Sequence, residues 1–235
     1  MLMILSSDQA ALFHELGLLY LPQALPKRQV MPLRNLVLNS LQKNLVWSKG
    51  RILSRKWSQL SPFQQINELS QTLAMPDLYD RLVTPDLHDL IHKLAQSQRA
   101  MSHQEVLLIS LPRQGAWTLS ALDWHRDARI TQQNELPGIQ VFVLLQDLNA
   151  RSGGTMAIPR THQGPGSKLN KSIIDAYWTD IPSATLKVNE TNLAAAEMVG
   201  KAGDVYLMDM RLLHTPTINA SNSLRMMATV RFFKP

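Results

Sequence analysis

The sequence predicts a mainly β protein with flanking helices, an α+β chain whose jelly-roll core follows a helical N-terminal half. Three observations carry this. Up to about residue 103 the apolar residues recur at helical spacing. From Gln104 they gather into short runs: EVLLISL, GIQVFVLLQDL, GTMAIP, DVYLMDM and LRMMATVRFF. Gly, Pro, Asn and Ser clusters separate those runs, which is the punctuation of a sandwich or jelly roll.

In the helical half, Ser7 is placed to cap a helix from Asp8 with the stripe Leu12, Phe13, Leu16 and Leu18, and Gly17 ends it. LLYLPQAL reads as a short strand and turn. Pro26 opens a second helix through Leu33, Leu36, Val37 and Leu41, and residues 61–73 and 86–98 form two more. No linker divides the chain. The expectation is therefore one domain over 1–235, with 1–103 as mostly helical support and 104–235 as the core.

A chain of 235 residues buries enough surface to fold without disulfides or a structural metal. Any metal would serve chemistry. The absence of cysteine excludes disulfide scaffolds, thiolate zinc sites, iron–sulfur clusters and cysteine nucleophiles. The opening segment lacks a positive flank, and Ser6, Ser7 and Asp8 break its apolar run, so it reads as neither signal peptide nor membrane span. A soluble cytoplasmic protein with no membrane partner is expected. Net charge is +6, and eight Lys or Arg with no acid lie between Lys27 and Lys56. Such a run can attract an anion, but most are solvated faces, and that is the reading taken. No nucleic-acid-binding motif accompanies it.

The chemistry gathers in the β half. On an extended backbone, residues two apart share a face, so His125 and Asp127 can chelate one metal while Arg126 points away. His214 follows the DVYLMDM strand. Two His and one carboxylate form the facial triad of non-haem iron(II) oxygenases, which leaves three positions open. Arg225 is the fourth element. If strands 205–214 and 224–233 form a symmetric hairpin across TPTINASNS, Arg225 stands opposite His214, with Cβ atoms roughly 5 Å apart. An Arg there would grip a carboxylate at two points. Arg231 shares the face but lies about 20 Å further along the strand, and a structural role is expected.

Around these residues the sequence resembles the phytanoyl-CoA dioxygenase family of Fe(II)/2-oxoglutarate oxygenases. The resemblance runs from about Leu122 to Phe233. It rests on His125-Arg126-Asp127, on GIQVFVLLQDLNARSGGTMAIPRTH and on GDVYLMDMRLLHTPTINASNSLRMMATVRF. The family's acid, glycine turn and Pro-Gly-Ser-His segment correspond to Asp147, Gly153-Gly154 and Pro159-Arg160-Thr161-His162, with Arg160 in the usual glycine position. The opening SSDQAALFHELGLLYLPQAL is also similar. The resemblance implies a double-stranded β-helix (cupin-like jelly roll). It implies Fe(II) on His125, Asp127 and His214, with 2-oxoglutarate chelating the iron and its far carboxylate paired with Arg225. It further implies hydroxylation of an unactivated C–H bond of a small or medium organic substrate, with release of succinate and carbon dioxide. Asp127 argues against a halogenase, which lacks a carboxylate there.

Other constellations are weaker. His88 and His92 have a zinc-compatible spacing but no third ligand, and they read as a helix face. His162 reads as a loop anchor. No Gly-x-Ser-x-Gly elbow or phosphate loop is present. Trp117 and Trp124 read as wall and core. Gln140 flanks the site, and Arg129 and Arg211 are placed to receive an anionic substrate. Two rival readings stand: a cupin-type metal dioxygenase that does not use 2-oxoglutarate, and a non-catalytic jelly-roll binding protein.

Overall fold

The computed structural model describes residues 6–75, 77–118, 122–131, 135–163, 185–188 and 191–235. Helix α1 (Ser7–Leu16) leads into strand β1 (Leu18–Leu21). Its cap is Ser6, one residue earlier than expected. Gln9 completes a capping box that only the Ser6 register permits, because the reciprocal partner must sit three residues on. Gly17 closes the helix at φ +72, a left-handed geometry cheap only for glycine. Helix α2 (Lys27–Lys43) starts at Pro26 as read, burying Val30, Leu33, Val37 and Leu41, whereas Leu36 is exposed.

A small hairpin, β2 (Trp47–Ser48) and β3 (Arg51–Ile52), precedes α3 (Arg55–Gln59), α4 (Pro62–Thr72), α5 (Leu78–Leu82) and α6 (Pro85–Ala95). Helices α4 and α6 match the two expected ones within a few residues. The hairpin, α3 and α5 are too short to show a period. No helix among the described residues is long and apolar enough to cross a membrane.

The β half contains β4 (Ser102–Ser110), β5 (Gly138–Leu144), β6 (Thr155–Ile158), β7 (Thr185–Val188), β8 (Thr191–Ala194), β9 (Ala196–Glu197), β10 (Val205–Asp209), β11 (Leu213–Pro216) and β12 (Arg225–Phe233). They form a five-stranded sheet in the order β1-β10-β5-β12-β4, a three-stranded sheet β11-β6-β9, and a separate β7-β8 pair. All registered pairs are antiparallel.

The two faces of the larger sheet divide by parity. Met226, Ala228, Val230 and Phe232 of β12 join Ile139, Val141 and Val143 of β5 in a core shared with the helices. Met227, Phe142, Leu144 and Met208 face the other way, in a smaller cluster with Ala157 and Leu212 beside the second sheet. Arg225 and Arg231 share the parity of Met227, so both belong to the inner face.

One expectation fails here. Strand β12 pairs with β4 and β5, and Arg225 stands opposite Ser110, not His214. The chain turns at Met210–Leu212, where the Leu212 amide donates to the Asp209 carbonyl at 2.9 Å. It then continues as β11 in the other sheet. That turn prevents β10–β11 from acting as one long hairpin arm.

Candidate metal centre

The turn that breaks the hairpin builds the site. Residues 125–128 run antiparallel to 210–214 and are pinned along that length. His125 and His214 exchange both backbone hydrogen bonds at 3.0 Å, and the Ala128 amide donates to the Met210 carbonyl at 3.0 Å. Arg126 points away from the metal face as read. Its Nε donates to the Arg211 carbonyl at 2.9 Å and its Nη2 to that of Thr161 at 3.1 Å. Beneath the turn, Arg211 forks onto Asp209 through Nε (3.0 Å) and Nη2 (2.6 Å), both side chains buried. Arg211 is thus turned into the fold.

His125, Asp127 and His214 come together as expected, with one ligand atom from each lying within 4.8 Å of the others. His125 Nε2 is 3.9 Å from Asp127 Oδ1, and His214 Nε2 is 3.7 Å from Oδ2. Each Nδ1 faces a backbone carbonyl, His125 to Asp123 at 2.7 Å and His214 to Leu212 at 3.0 Å. A carbonyl only accepts, so each Nδ1 carries a proton and each Nε2 is the nitrogen left to face the metal. Burial holds the His214 pKa down to about 4, and the Asp127 charge only partly opposes this. His214 is therefore a neutral donor at physiological pH. This donor set fits a divalent metal.

Arg225 is fully buried, and none of its three guanidinium nitrogens has a hydrogen-bond partner among the described residues. Loss of hydration alone pulls its pKa down to about 9. Directly across the strand pair, Ser110 Oγ is likewise buried without a partner. Gln140 lies on the same inner face. Its Nε2 donates to Thr229 Oγ1 at 3.0 Å while its Oε1 is left unmatched.

Sequence reasoning missed Ser110, because its placement depends on the β4–β12 register. It also misjudged Arg231, whose Nε donates to Asp127 Oδ2 at 3.0 Å. Its side chain reaches Asp127 even though the Arg231 backbone lies about 20 Å along β12 from that of Arg225.

The other candidates lie further out. Arg129 is exposed. Trp117 and Trp124 have buried Nε1 atoms without partners among the described residues. His162 is buried, with Nε2 3.1 Å from the His14 carbonyl, and Gln163 Nε2 donates to the carbonyls of His14 and Glu15. That loop satisfies the orphan carbonyls of α1, as an anchor would. Arg160 has φ +70, the conformation its glycine counterpart would adopt freely. The His88 and His92 rings lie 4.3 Å apart on α6, tilted by 36°, and belong to no group of three ligands among the described residues.

A jelly roll with a two-His, one-carboxylate cluster between its sheets defines the class of non-haem metal oxygenases. The chain belongs to the phytanoyl-CoA dioxygenase (PhyH) family, whose model matches residues 13–227. It is a 2-oxoglutarate-dependent dioxygenase by that membership.

Solved structures share the fold. EctD from S. alaskensis, crystallised with 2-oxoglutarate and 5-hydroxyectoine, has a TM-score of 0.66 at 20% identity, covering 98% of this chain and 76% of its own. The non-haem α-ketoglutarate-dependent carbocyclase SnoK from nogalamycin biosynthesis gives 0.63 at 18%, covering 98% and 84%. The epimerase SnoN, in complex with Fe3+, α-ketoglutarate and nogalamycin RO, gives 0.61 at 16%, covering 97% and 82%. No curated protein sequence matches significantly.

Proposed function

We propose that the chain, acting as one oxygenase domain over 1–235, hydroxylates an unactivated C–H bond of a small or medium organic substrate. The reaction consumes 2-oxoglutarate and oxygen and releases succinate and carbon dioxide. The observation that carries this reading is Arg225, a wholly buried cation without a hydrogen-bond partner among the described residues, on the inner face of the barrel that holds the triad. Burying an unpaired charge is costly, and a carboxylate from a ligand removes the cost.

In this reading His125, Asp127 and His214 hold Fe(II), and Arg225 takes the far carboxylate of 2-oxoglutarate, with the Ser110 hydroxyl as a second donor. The iron and co-substrate supply the oxidising chemistry. The protein's part is to present neutral Nε2 donors, orient the co-substrate and keep water out. The inner-face residues Phe142, Leu144, Met208 and Met227 provide an apolar wall for that purpose. Solved structures of this fold include a carbocyclase and an epimerase, so fold alone does not choose hydroxylation. Exposed Arg129 is the residue we assign to an anionic substrate group, and a cytoplasmic setting suits a chain without cysteine.

Asp127→Ala tests the reading and should abolish substrate-stimulated succinate formation. Unchanged turnover would sink it. Anaerobic titration with Fe(II) and then 2-oxoglutarate should give a visible charge-transfer band that needs both and disappears in His214→Ala. Arg225→Ala separates this reading from a cupin-type dioxygenase, because only the former should then need far more 2-oxoglutarate. A binding module would retain its partner in metal-free protein.

A further inference from the structure

Arg231 approaches the metal ligands from β12. The inner-face parity that buries Arg225 at the start of the strand brings Arg231 round to Asp127 six residues later, about 20 Å along. Its registered neighbours, Gln140 on β5 and Gln104 on β4, are neutral. Asp127, with a side chain only 15% exposed, receives the Arg231 Nε on Oδ2 at 3.0 Å. Each oxygen also faces a histidine, Oδ1 lying 3.9 Å from His125 Nε2 and Oδ2 3.7 Å from His214 Nε2, but only Oδ2 carries the Arg231 hydrogen bond. The two carboxylate oxygens are therefore unequal. A metal approaching Oδ2 would meet both an occupied lone pair and a guanidinium charge, whereas Oδ1 meets neither.

We propose that Arg231 is a positioning residue that restricts Asp127 to one-oxygen coordination through Oδ1. The inference rests on the reading of the triad as a metal site. A facial triad works because three of six positions stay open. A carboxylate free to swing and bind through both oxygens would take one of them, and the co-substrate needs two. Arg231 prevents this by holding Oδ2 in a charged hydrogen bond. The side chains of Arg231 and Asp127 are 25% and 15% exposed, so removing Arg231 leaves a largely buried carboxylate, and the melting temperature of each variant is measured alongside. A single N–H bond is made, so Lys can replace Arg here, unlike at a two-point site.

The test uses the full-length apoprotein titrated with Co(II), whose visible bands report ligand number and geometry, followed by 2-oxoglutarate. Arg231→Leu, Arg231→Gln, Arg231→Lys and Asp127→Ala are compared with the parent. Arg231→Leu should shift the Co(II) bands and weaken binding of metal or of 2-oxoglutarate to the loaded protein by about 10- to 100-fold, the usual cost of losing a residue that orients a ligand. Arg231→Gln should fall between, and Arg231→Lys should restore most of the parent spectrum.

Bands and affinities in Arg231→Leu indistinguishable from the parent would overturn the proposal. So would tighter metal binding with unchanged bands, which would reduce Arg231 to a repelling charge, or a Lys variant as impaired as Leu. If Arg231→Leu lowers the melting temperature sharply, the Gln variant decides by the same criteria. A parent spectrum that Asp127→Ala leaves untouched would refute the metal site itself. A parent spectrum lost in Asp127→Ala but indifferent to Arg231 would refute this inference alone.

Discussion

Replacing Arg225 by Met should stabilise the ligand-free protein while removing its response to 2-oxoglutarate. The guanidinium is fully buried without a hydrogen-bond partner among the described residues, and burial pulls its pKa down by several units to about 9. At 1.36 kcal/mol per pH unit, that drop corresponds to ~5 kcal/mol acting against the charged form. The folded pKa lies below the unfolded one. The unfolded chain therefore binds more protons above about 9, so the penalty is complete at neutral pH and lifts only above about 9.

Met fills similar volume without charge, and exchanges of this kind are often neutral or stabilising by roughly 1–4 kcal/mol. In the parent, 2-oxoglutarate at 100 times its dissociation constant should add about 2.7 kcal/mol. For a chain of this size that is roughly 5–10 °C in melting temperature. The assay is thermal melting of Mn(II)-loaded parent and Arg225→Met with and without 2-oxoglutarate. An Arg225→Met protein that melts well below the parent and still gains several degrees from 2-oxoglutarate would refute the reasoning.

Three further outcomes follow from the site's construction. Asp209→Ala leaves Arg211 buried without its carboxylate and should cost roughly 3–5 kcal/mol, read as a fall in denaturant midpoint, with metal affinity falling because the 209–212 turn carries His214. His214 is held neutral down to about 4 in the fold but takes up a proton below 6.5 when unfolded. Apoprotein stability should therefore fall as pH drops from 6.5 towards 4, by ~3 kcal/mol, and His214→Gln should flatten that slope in urea titrations. Gly17→Ala would place a methyl 2.6 Å from His162 Nδ1 at φ +72, so it should lower the melting temperature by several degrees, whereas Gly50→Ala, with open space around it, should cost only backbone strain.

The triad was legible in the sequence because its signals are local. His125 and Asp127 are two residues apart, and the apolar runs on either side of His214 mark strand ends without tertiary knowledge. The same locality explains the helix boundaries at Gly17 and Pro26. What failed was partner choice. Period-two alternation on β12 was read correctly, so Arg225 and Arg231 were put on one face, but the strand opposite them was not. Three residues, Met210–Leu212, carry the chain from one sheet to the other, and no composition rule separates such a turn from a continuing strand. The hairpin argument for Arg225 had the wrong geometry, leaving the family resemblance as its support, and the structural role expected of Arg231 was assigned without seeing its contact with Asp127. Ser110 was out of reach because only the β4–β12 register gives it a role.

The unpaired polar atoms also weigh between the rival enzymes. A metal dioxygenase that does without 2-oxoglutarate needs the triad and an apolar pocket, and nothing in that chemistry requires a cation deep between the sheets. An apolar residue at 225 would pack there at no electrostatic cost. The inner face instead combines Arg225, the Ser110 hydroxyl beside it and a half-satisfied Gln140 at the metal end. A ligand carboxylate matches that wall, because its charge would remove the burial penalty of Arg225. The burial cost in the ligand-free protein and the proposed grip on the co-substrate come from the same guanidinium, so apolar variants of Arg225 should gain ligand-free stability as they lose co-substrate binding.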